Sequence, residues 1–371
     1  MKQLILLLCL CFTFTSTFCQ IANPGVEVVA DTISNKPHFG DGNMGNGSAW
    51  FDDFAIEELP KVDTSASNQL IKFGKEVTDI VKRHSLYADS VNWNEVDKNI
   101  AELATSGMTM DDSPAIMDLI ISKLRAAGDK HSLYQAKTTA QNYAVRNSVT
   151  EQPIARLINN NCGYIAVPAF ASTSDTAGVN FATKIQQLIQ DLDTKQTIKG
   201  WIVDLRQNGG GNMYPMIAGL GPLTGEGKLG YFVSPKAKNV KGTAWTYKHG
   251  SSGINGNKGV VVKKPYTLRN INNKIAVLIG SGTGSSGEMT VLGFVGKPNA
   301  KLFGTPTSGY ITANQGFKLS TGAYMYLATR YVADRNQKIY KVNIQPDVTI
   351  ASGKDGGADL ALEAALQWLN E

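Results

Sequence analysis

Apolar residues in the first third of the chain recur at the three- and four-residue spacing of amphipathic helices. The first set is Leu70, Phe73, Val77, Ile80 and Val81. A second helix is predicted over about Trp93–Ala104. A third begins near Ser113, which can cap it, and ends near Gly128. The pattern therefore predicts a small helical domain over residues 64–130.

Beyond residue 130 the pattern changes to strands that alternate with helices. Continuous apolar runs predict buried strands at Gly163–Phe170, Gly200–Leu205 and Ile275–Ile279. The first two flank a helix with apolar residues at Phe181, Ile185, Leu188, Ile189 and Leu192. This strand–helix–strand order is typical of an α/β fold. The sequence therefore predicts an α/β catalytic domain over residues 131–371.

The predicted α/β domain contains further elements and two irregular stretches. More strands are expected near Lys301–Phe303, Gly316–Leu319 and Ala323–Ala328, and a final helix near Asp359–Leu369. Residues 133–160 are expected to be a polar connection. Residues 222–270 are rich in Gly and Lys and predict hairpins and loops over one end of the sheet.

The N-terminal residues differ from the rest of the chain. Lys2 and the apolar run Leu4–Leu10 predict a signal peptide over residues 1–19, too short for a membrane span. We expect cleavage before Gln20 and a periplasmic or secreted protein. Lipidation at Cys19 is the alternative, although the bulky Phe18 precedes it. Residues 20–63 follow as a loop-rich segment, and no later stretch is long and apolar enough to be an integral membrane segment.

Composition excludes some classes of protein. Apolar residues make up 42% and charged residues 18% of the 371 residues, as in globular proteins. The formal net charge is +5, too small and dispersed to indicate nucleic-acid binding. Three of the four cysteines lie in the predicted signal peptide. The fourth, Cys162, beside an apolar run, is expected to be a buried structural thiol rather than a disulfide partner.

Ser285 is the first candidate for chemistry. It follows the apolar run that ends at Ile279 and the small residues Gly280–Gly284, and it precedes a segment that can continue as a helix. A hydroxyl at such a strand-to-helix turn is lifted out of the sheet edge, beside backbone N–H groups that favour a developing negative charge. The alternative is an ordinary Gly/Ser-rich turn whose serine caps the helix.

The triple glycine Gly209–Gly211 follows another apolar strand. In a parallel sheet both strand ends open on the same edge, where sites form in α/β folds. The N–H groups of Gly210 and Ser286 would then flank one oxygen, as an oxyanion hole requires. The alternatives are a plain turn or a phosphate-binding loop, but the Gly-Lys-Ser/Thr ending of the latter is missing.

His131 is the candidate base, because a serine hydroxyl is a poor nucleophile at neutral pH without one. The chain has four histidines: His38, His84, His131 and His249. His131 follows a Gly-Asp turn at a predicted helix end, from which its side chain can point across a cleft. The alternative is a helix-terminal histidine that interacts with the helix dipole.

Together these segments resemble the family of tricorn-like and C-terminal processing serine peptidases, which includes tail-specific proteases and interphotoreceptor retinoid-binding repeats. The matching segments, in order, are Gly128–Ser132, Gly163–Phe170, Asp204–Gly211, Thr283–Glu288, Gly304–Gly309 and Gln345–Val348. The resemblance implies a ClpP/crotonase-like β-α superhelix, Ser285 as nucleophile and His131 as base. It also implies Gly210 and Ser286 as oxyanion donors, a polypeptide or peptide substrate, and no metal or organic cofactor.

The chain departs from the family pattern in three places. Tyr310 stands where the processing branch has its lysine base, which favours Ser–His chemistry. The tricorn-like branch has a glutamate shortly before the segment that corresponds to Gln345–Asp347, and here it is missing. In place of that glutamate, we expect Asp334 to orient His131. The alternative is that Asp334 is an ordinary turn residue. The interval between His131 and Gly163 is too short for a PDZ domain.

Two hypotheses of different classes follow. The first is an exported serine peptidase that hydrolyses peptide bonds through Ser285 and His131. The second is a non-catalytic protein on the same fold that binds a ligand or peptide, which the missing lysine and glutamate favour. An esterase with the same Ser–His chemistry is a third possibility.

Overall fold

The computed structural model describes residues 65–104, 108–138, 151–172, 174–235, 242–350, 354–355 and 358–371. The predicted signal peptide and the loop-rich segment 20–63 lie outside these residues. The α-helices are α1 (Ser65–His84), α2 (Trp93–Leu103), α3 (Ser113–Ala126), α4 (Asp175–Lys195), α5 (Met213–Thr224), α6 (Ser286–Leu292) and α7 (Leu360–Asn370).

The strands fall into two main sheets and one short hairpin. They are β1 (Leu133–Gln135), β2 (Ile154–Ile158), β3 (Cys162–Ala166), β4 (Gly200–Asp204), β5 (Gly227–Val233), β6 (Thr243–Lys248), β7 (Ser251–Ile254), β8 (Asn257–Val261), β9 (Lys274–Ile279), β10 (Ala300–Gly304), β11 (Thr312–Lys318), β12 (Tyr324–Asp334), β13 (Ile339–Tyr340), β14 (Val348–Thr349), β15 (Lys354–Asp355) and β16 (Ala358–Asp359). The predicted α/β class is confirmed.

The first sheet is parallel except at one edge. Its order is β14-β10-β9-β4-β3-β2, and only β2 runs antiparallel to its neighbour. Val203 of β4 lies between Ile165 and Val277 of the flanking strands. Strand β4 is buried along its whole length, as its unbroken apolar sequence predicts. The parallel order brings the ends of β4 and β9 to the same edge of the sheet.

Helices cover both faces of this sheet. Helices α4 and α5 pack on one face, where Ile185 and Met216 belong to the main core. Helix α7 covers the other face through Ala365 and Leu369. Our prediction omitted α5, because this helix is buried almost throughout and contains Pro222, so its sequence has no amphipathic period.

The second sheet contains the hairpins predicted over residues 222–270. Strands β5 to β8 are antiparallel and continue the order β1-β12-β5-β6-β7-β8, so they belong to a sheet of their own. One prediction is corrected. The expected polar connection 133–160 contains two strands, β1 and β2. Strand β12 is longer than predicted, and β11 and β13 also pair with it. Strand β12 is therefore the centre of this sheet.

The N-terminal helices pack on β12 as well as on one another. One cluster of buried apolar side chains joins all three helices to the end of β11 and to β12; it includes Val77, Ile100, Ile120, Met325 and Leu327. Burial of side chains of this size stabilises a fold by about 1.5–3 kcal/mol each. The cluster fixes the end of α3, and with it the loop that carries His131. The domain boundaries inferred from the sequence stay a prediction.

Candidate active site

Ser285 occupies the turn between β9 and α6 in a conformation that side chains rarely adopt. Its backbone angles are φ 52° and ψ −122°. Non-glycine residues in such regions carry strain of about 1–3 kcal/mol and persist only where their surroundings hold them. The predicted strand-to-helix turn at Ser285 is confirmed, and its strain places the hydroxyl on a sharp bend.

The buried carboxylate of Glu288 holds this bend in place. One of its oxygens accepts the N–H of Ser285 at 2.9 Å. The other accepts the hydroxyl of Thr307 at 2.5 Å and the N–H of Gly309 at 3.0 Å. Burial raises the pKa of Glu288, while these hydrogen bonds act in the opposite direction. Glu288 thus connects the Ser285 turn to residues 307–310.

The structure brings His131 and Ser285 into contact. Nε2 of His131 lies 2.9 Å from Oγ of Ser285, and Nδ1 lies 2.9 Å from Oγ1 of Thr312. If Nδ1 carries the proton and donates it to Thr312, then Nε2 is free to accept the proton of Ser285. This is the geometry of an activated serine, with a neutral hydroxyl in the place where an acid often orients the histidine.

A buried carboxylate fixes the loop that carries His131. Oδ1 of Asp129 accepts the N–H groups of His131 and Ser132, both at 2.9 Å, and its other oxygen accepts the Ser132 hydroxyl at 2.5 Å. The Ser132 hydroxyl in turn accepts the N–H of Ala328 at 2.9 Å. From β11, the Asn314 side chain donates to the carbonyl of His131 at 2.9 Å. The histidine backbone is therefore anchored to both β11 and β12.

The surroundings of His131 favour its neutral form. Burial lowers its pKa to about 4, although the charge of Asp129 and a hydrogen bond with the backbone of Thr312 raise it in part. Tyr310 lies beside the imidazole with 5.7 Å between ring centroids and is 40% exposed. At neutral pH, His131 is therefore unprotonated and available as a base.

Asp334 does not lie beside His131, contrary to our prediction. Its carboxylate accepts the N–H groups of Asn336 and Lys338 and the hydroxyl of Tyr340, within 3.0 Å in each case. These contacts close the turn between β12 and β13. The position expected for an orienting acid is taken instead by Thr312, because β11 passes directly behind His131.

The predicted oxyanion donors lie next to Ser285, but one of them has a partner. A Cβ atom built on Gly210 would be 2.8 Å from Cβ of Ser285 and 3.0 Å from the backbone nitrogen of Ser286. The N–H of Gly210 donates to Oδ1 of Asn208 at 3.1 Å. The N–H of Ser286 opens α6, where first-turn N–H groups have no partner inside the helix. Only glycine fits at residue 210, because its φ is +114° and Ser285 is so close.

Asn208 and Arg206 fix the glycine loop in place. The fully buried amide of Asn208 donates to the carbonyls of Val167 and Pro168 at 3.0 and 3.2 Å. Arg206 forms ion pairs with Asp204, at the end of β4, and with Asp359, at the start of α7. The loop after β4 is thus held from the neighbouring strand and from the C-terminal helix.

Sequence reasoning missed several of these residues. Asp129 and Asn208 stood inside matching segments, and a buried polar residue beside a glycine turn was the available signal for them. Thr312 and Asn314 carried no signal, because they reach His131 only through pairing of β11 with β12, more than 180 residues along the chain. Among the described residues, no group of three or more His, Cys, Asp or Glu side chains could hold a metal ion.

Comparison with known proteins identifies a matching family and two relatives. The family model "Peptidase family S41" matches residues 161–350. The nisin-resistance protein of Lactococcus lactis subsp. lactis is 29% identical over 287 residues, which are 76% of this chain and 82% of that protein. The carboxy-terminal processing protease CtpA of Bacillus subtilis (strain 168) is 26% identical over 199 residues, 53% of this chain and 37% of CtpA.

Solved structures show the same fold. A lipoprotein from Streptococcus agalactiae matches with a TM-score of 0.63 and 26% identity, over 85% of this chain and 99% of that one. The photosystem II D1 C-terminal processing protease matches with a TM-score of 0.51 and 14% identity, over 78% of this chain and 98% of that one. At 14% identity, the match to the D1 processing protease shows a shared fold and nothing more.

Proposed function

Because the chain belongs to peptidase family S41, we propose that it is an exported serine peptidase that cleaves polypeptide substrates through Ser285 and His131. The resemblance inferred from the sequence is confirmed at the level of this family. The observation that carries the proposal is the 2.9 Å contact between Oγ of Ser285 and Nε2 of His131. Export is supported by the predicted signal peptide and by the similarity to a protein described as a lipoprotein.

The reaction would use a covalent acyl-enzyme. Nε2 of His131 takes the proton of Ser285 as Oγ attacks the scissile carbonyl carbon, and a tetrahedral intermediate forms. His131 then gives that proton to the leaving amine as the carbon–nitrogen bond breaks. A water molecule, deprotonated by His131, then attacks the acyl carbon. The bond between that carbon and Oγ breaks, Oγ takes the proton back from His131, and the carboxylic acid product leaves. Each group ends in its starting state.

Thr312 would act as a positioning residue in this scheme. Its hydroxyl accepts Nδ1–H of His131, which keeps Nε2 unprotonated and aimed at Ser285. A hydroxyl orients the ring without bringing a full negative charge. The carboxylate of Asp129, whose charge raises the pKa of His131, would stabilise the imidazolium that forms during the attack.

The oxyanion would be bound by backbone N–H groups on both sides of Ser285. The N–H of Ser286 is one donor in this proposal. The second is the N–H of Gly210, once it turns from Asn208 toward the substrate oxygen. An oxygen that becomes negatively charged is a stronger acceptor than a neutral amide oxygen, so it competes well for this donor. Removal of one such donor from a serine peptidase costs about 100- to 1,000-fold in kcat.

A non-catalytic binding protein on the same fold is the second candidate. The hydrogen bond between Gly210 and Asn208 favours it, because one oxyanion donor is occupied. The neutral partner of His131 favours it as well. Both features are also compatible with a peptidase whose oxyanion site is completed when substrate binds.

Hydrolysis of an unfolded polypeptide separates the two candidates. We expect purified protein without the signal peptide to cleave fluorescently labelled casein, and Ser285→Ala to lose this activity at least about 1,000-fold. Circular dichroism checks that the variant is folded. If wild type binds casein but leaves it intact, the binding-protein candidate is favoured. Equal cleavage by both proteins would exclude Ser285 as the nucleophile.

A further inference from the structure

One edge of strand β11, close to the candidate catalytic pair, has no strand partner among the described residues. Within the described ranges, β11 pairs with β12 alone. Its first residue, Thr312, contacts the ring of His131, and Asn314 holds the carbonyl of His131. Four residues before Thr312, Ser308 donates its N–H and its hydroxyl to the carbonyl of Thr283, in the loop before Ser285. The strand therefore leads directly away from the reacting atoms.

The direction of the backbone groups on this edge follows from Ala328 of β12. The N–H of Ala328 donates to the hydroxyl of Ser132, and its carbonyl accepts the N–H of Leu86, both at 2.9 Å. Both groups of Ala328 thus point away from β11. Asn314 lies opposite Ala328. In an antiparallel pair, two facing residues either bond to each other through both groups or both point outward. The backbone groups of Asn314 therefore also point outward.

Residues that bond to the partner strand alternate with residues whose backbone groups point outward, so the direction found for Asn314 also gives those of its neighbours. Gly316, opposite Tyr326, points its N–H and carbonyl outward, whereas Gln315 and Phe317 bond to β12. Gly316 and Gln315 are exposed. At about 3.3 Å per residue, Gly316 lies about 13 Å along the strand from Thr312.

Among the residues that the structure describes, this edge has little of the usual protection against strand addition. Proteins blunt exposed edges with proline, inward-pointing charges or covering loops. Strand β11 has no proline, a single charged residue, Lys318, at its far end, and a bulge between Ala313 and Asn314. The bulge lies next to the catalytic pair, so the stretch from Asn314 to Lys318 remains regular.

We propose that this outer edge of β11 binds an extended segment of the polypeptide substrate as an added strand. The inference rests on the proposed peptidase function and names the form of the substrate. Backbone hydrogen bonds to Gly316 would hold the segment several residues from the scissile bond. Such a site selects for an unfolded chain with a free N–H and carbonyl at the paired position, and it depends little on the side chains.

Two variants of Gly316 test this site. Gly316→Pro removes the outward N–H and leaves the bonds between β11 and β12 intact, since proline is tolerated at an outward-facing edge position. Gly316→Ala is the matched control, because it adds the same Cβ, 3.1 Å from the ring of Tyr326, and keeps the N–H. With a 20-residue fluorogenic peptide without proline, we expect KM of Gly316→Pro to exceed that of Gly316→Ala at least about fivefold, the effect of one lost hydrogen bond. The two kcat values should agree within about twofold.

A series of N-methylated peptides provides the second measurement. Methylation at alternate positions on one side of the scissile bond should raise KM, and methylation between them should not. Equal KM values for the two Gly316 variants, or no alternation in the series, would overturn the assignment of β11. A wild type that cleaves no peptide would instead overturn the peptidase function itself, so the two failures are distinguishable.

Discussion

The hydroxyl of Thr312 lies 2.9 Å from Nδ1 of His131, the ring nitrogen that faces away from Ser285. A neutral group therefore stands where an acid often orients the histidine of a serine hydrolase. Thr312 is 6% exposed, so water does not easily replace it. The reactivity of Ser285 should consequently depend on orientation of His131 more than on charge at its far side.

Substitution of Thr312 tests this dependence. Thr312→Val keeps the shape of the side chain and removes the hydroxyl that lies 2.9 Å from Nδ1, so the ring is held less firmly and can rotate or change tautomer. Because one such hydrogen bond is worth about 1–2 kcal/mol, we expect kcat to fall about 5- to 30-fold with little change in KM. Steady-state kinetics with the fluorogenic peptide measures both constants.

Thr312→Ser is the matched control, since it restores the hydroxyl at the same position. It should recover most of the lost kcat. If Thr312→Val is as active as wild type, Thr312 has no part in positioning His131.

The acid limb of the activity profile should reflect the partly buried histidine. Burial lowers the pKa of His131 to about 4, so its base form persists well below the usual value of 6.5. We expect kcat/KM to stay near its maximum down to about pH 5 and to fall toward pH 4 as His131 is protonated. An acid limb centred near pH 6.5 would contradict this environment for His131.

The same shift predicts a dependence of stability on pH. The unfolded chain binds a proton at His131 near pH 6.5, but the folded protein does so only near pH 4. Between these values the unfolded state holds more protons, so stability falls as pH is lowered, by up to about 3 kcal/mol. Denaturant unfolding at several pH values measures the effect. His131→Gln, which does not titrate, should show a smaller loss over this range.

The strain at Ser285 gives a prediction about stability alone. Glycine adopts positive φ freely, whereas alanine keeps the strain of the native serine. We therefore expect Ser285→Gly to be more stable than Ser285→Ala by about 1 kcal/mol, even after the greater entropy of glycine in the unfolded chain is counted. Denaturant midpoints of the two inactive variants provide the comparison.

Ser122, an exposed residue in the middle of α3, serves as the control position. There Ser122→Gly should be less stable than Ser122→Ala, because glycine is unfavourable inside a helix by about 1 kcal/mol. If the alanine variant is more stable than the glycine variant at residue 285 as well as at residue 122, the backbone of Ser285 is not strained.

Local patterns were enough to predict much of the fold and part of the site. The apolar run before Ser285 and the small residues between them gave the strand-to-helix turn, because that signal is contained in about fifteen residues. Helix α3 was predicted from its apolar period and its terminal glycine, but the predicted cap was wrong: Ser113 is the first helical residue, and Asp112 precedes it without a side-chain capping bond. Helix α5 was missed because a helix buried almost throughout has no polar face to produce a period.

The surroundings of His131 depend instead on pairing between distant strands. Asp334 was chosen as an acid at a suitable place in the sequence, but its carboxylate closes its own turn. Thr312 reaches His131 because β11 lies beside β12, and neither residue type nor spacing indicates this. Residues that complete a site through tertiary pairing cannot be found from a single sequence without the register of the strands.

Covalent labelling with a fluorophosphonate probe tests most directly whether His131 activates Ser285. We expect the mature protein to be labelled at Ser285, as identified by peptide mapping, and Ser285→Ala and His131→Ala to remain unlabelled. Labelling that persists in folded Ser285→Ala, or a folded wild type that does not react, would contradict this expectation.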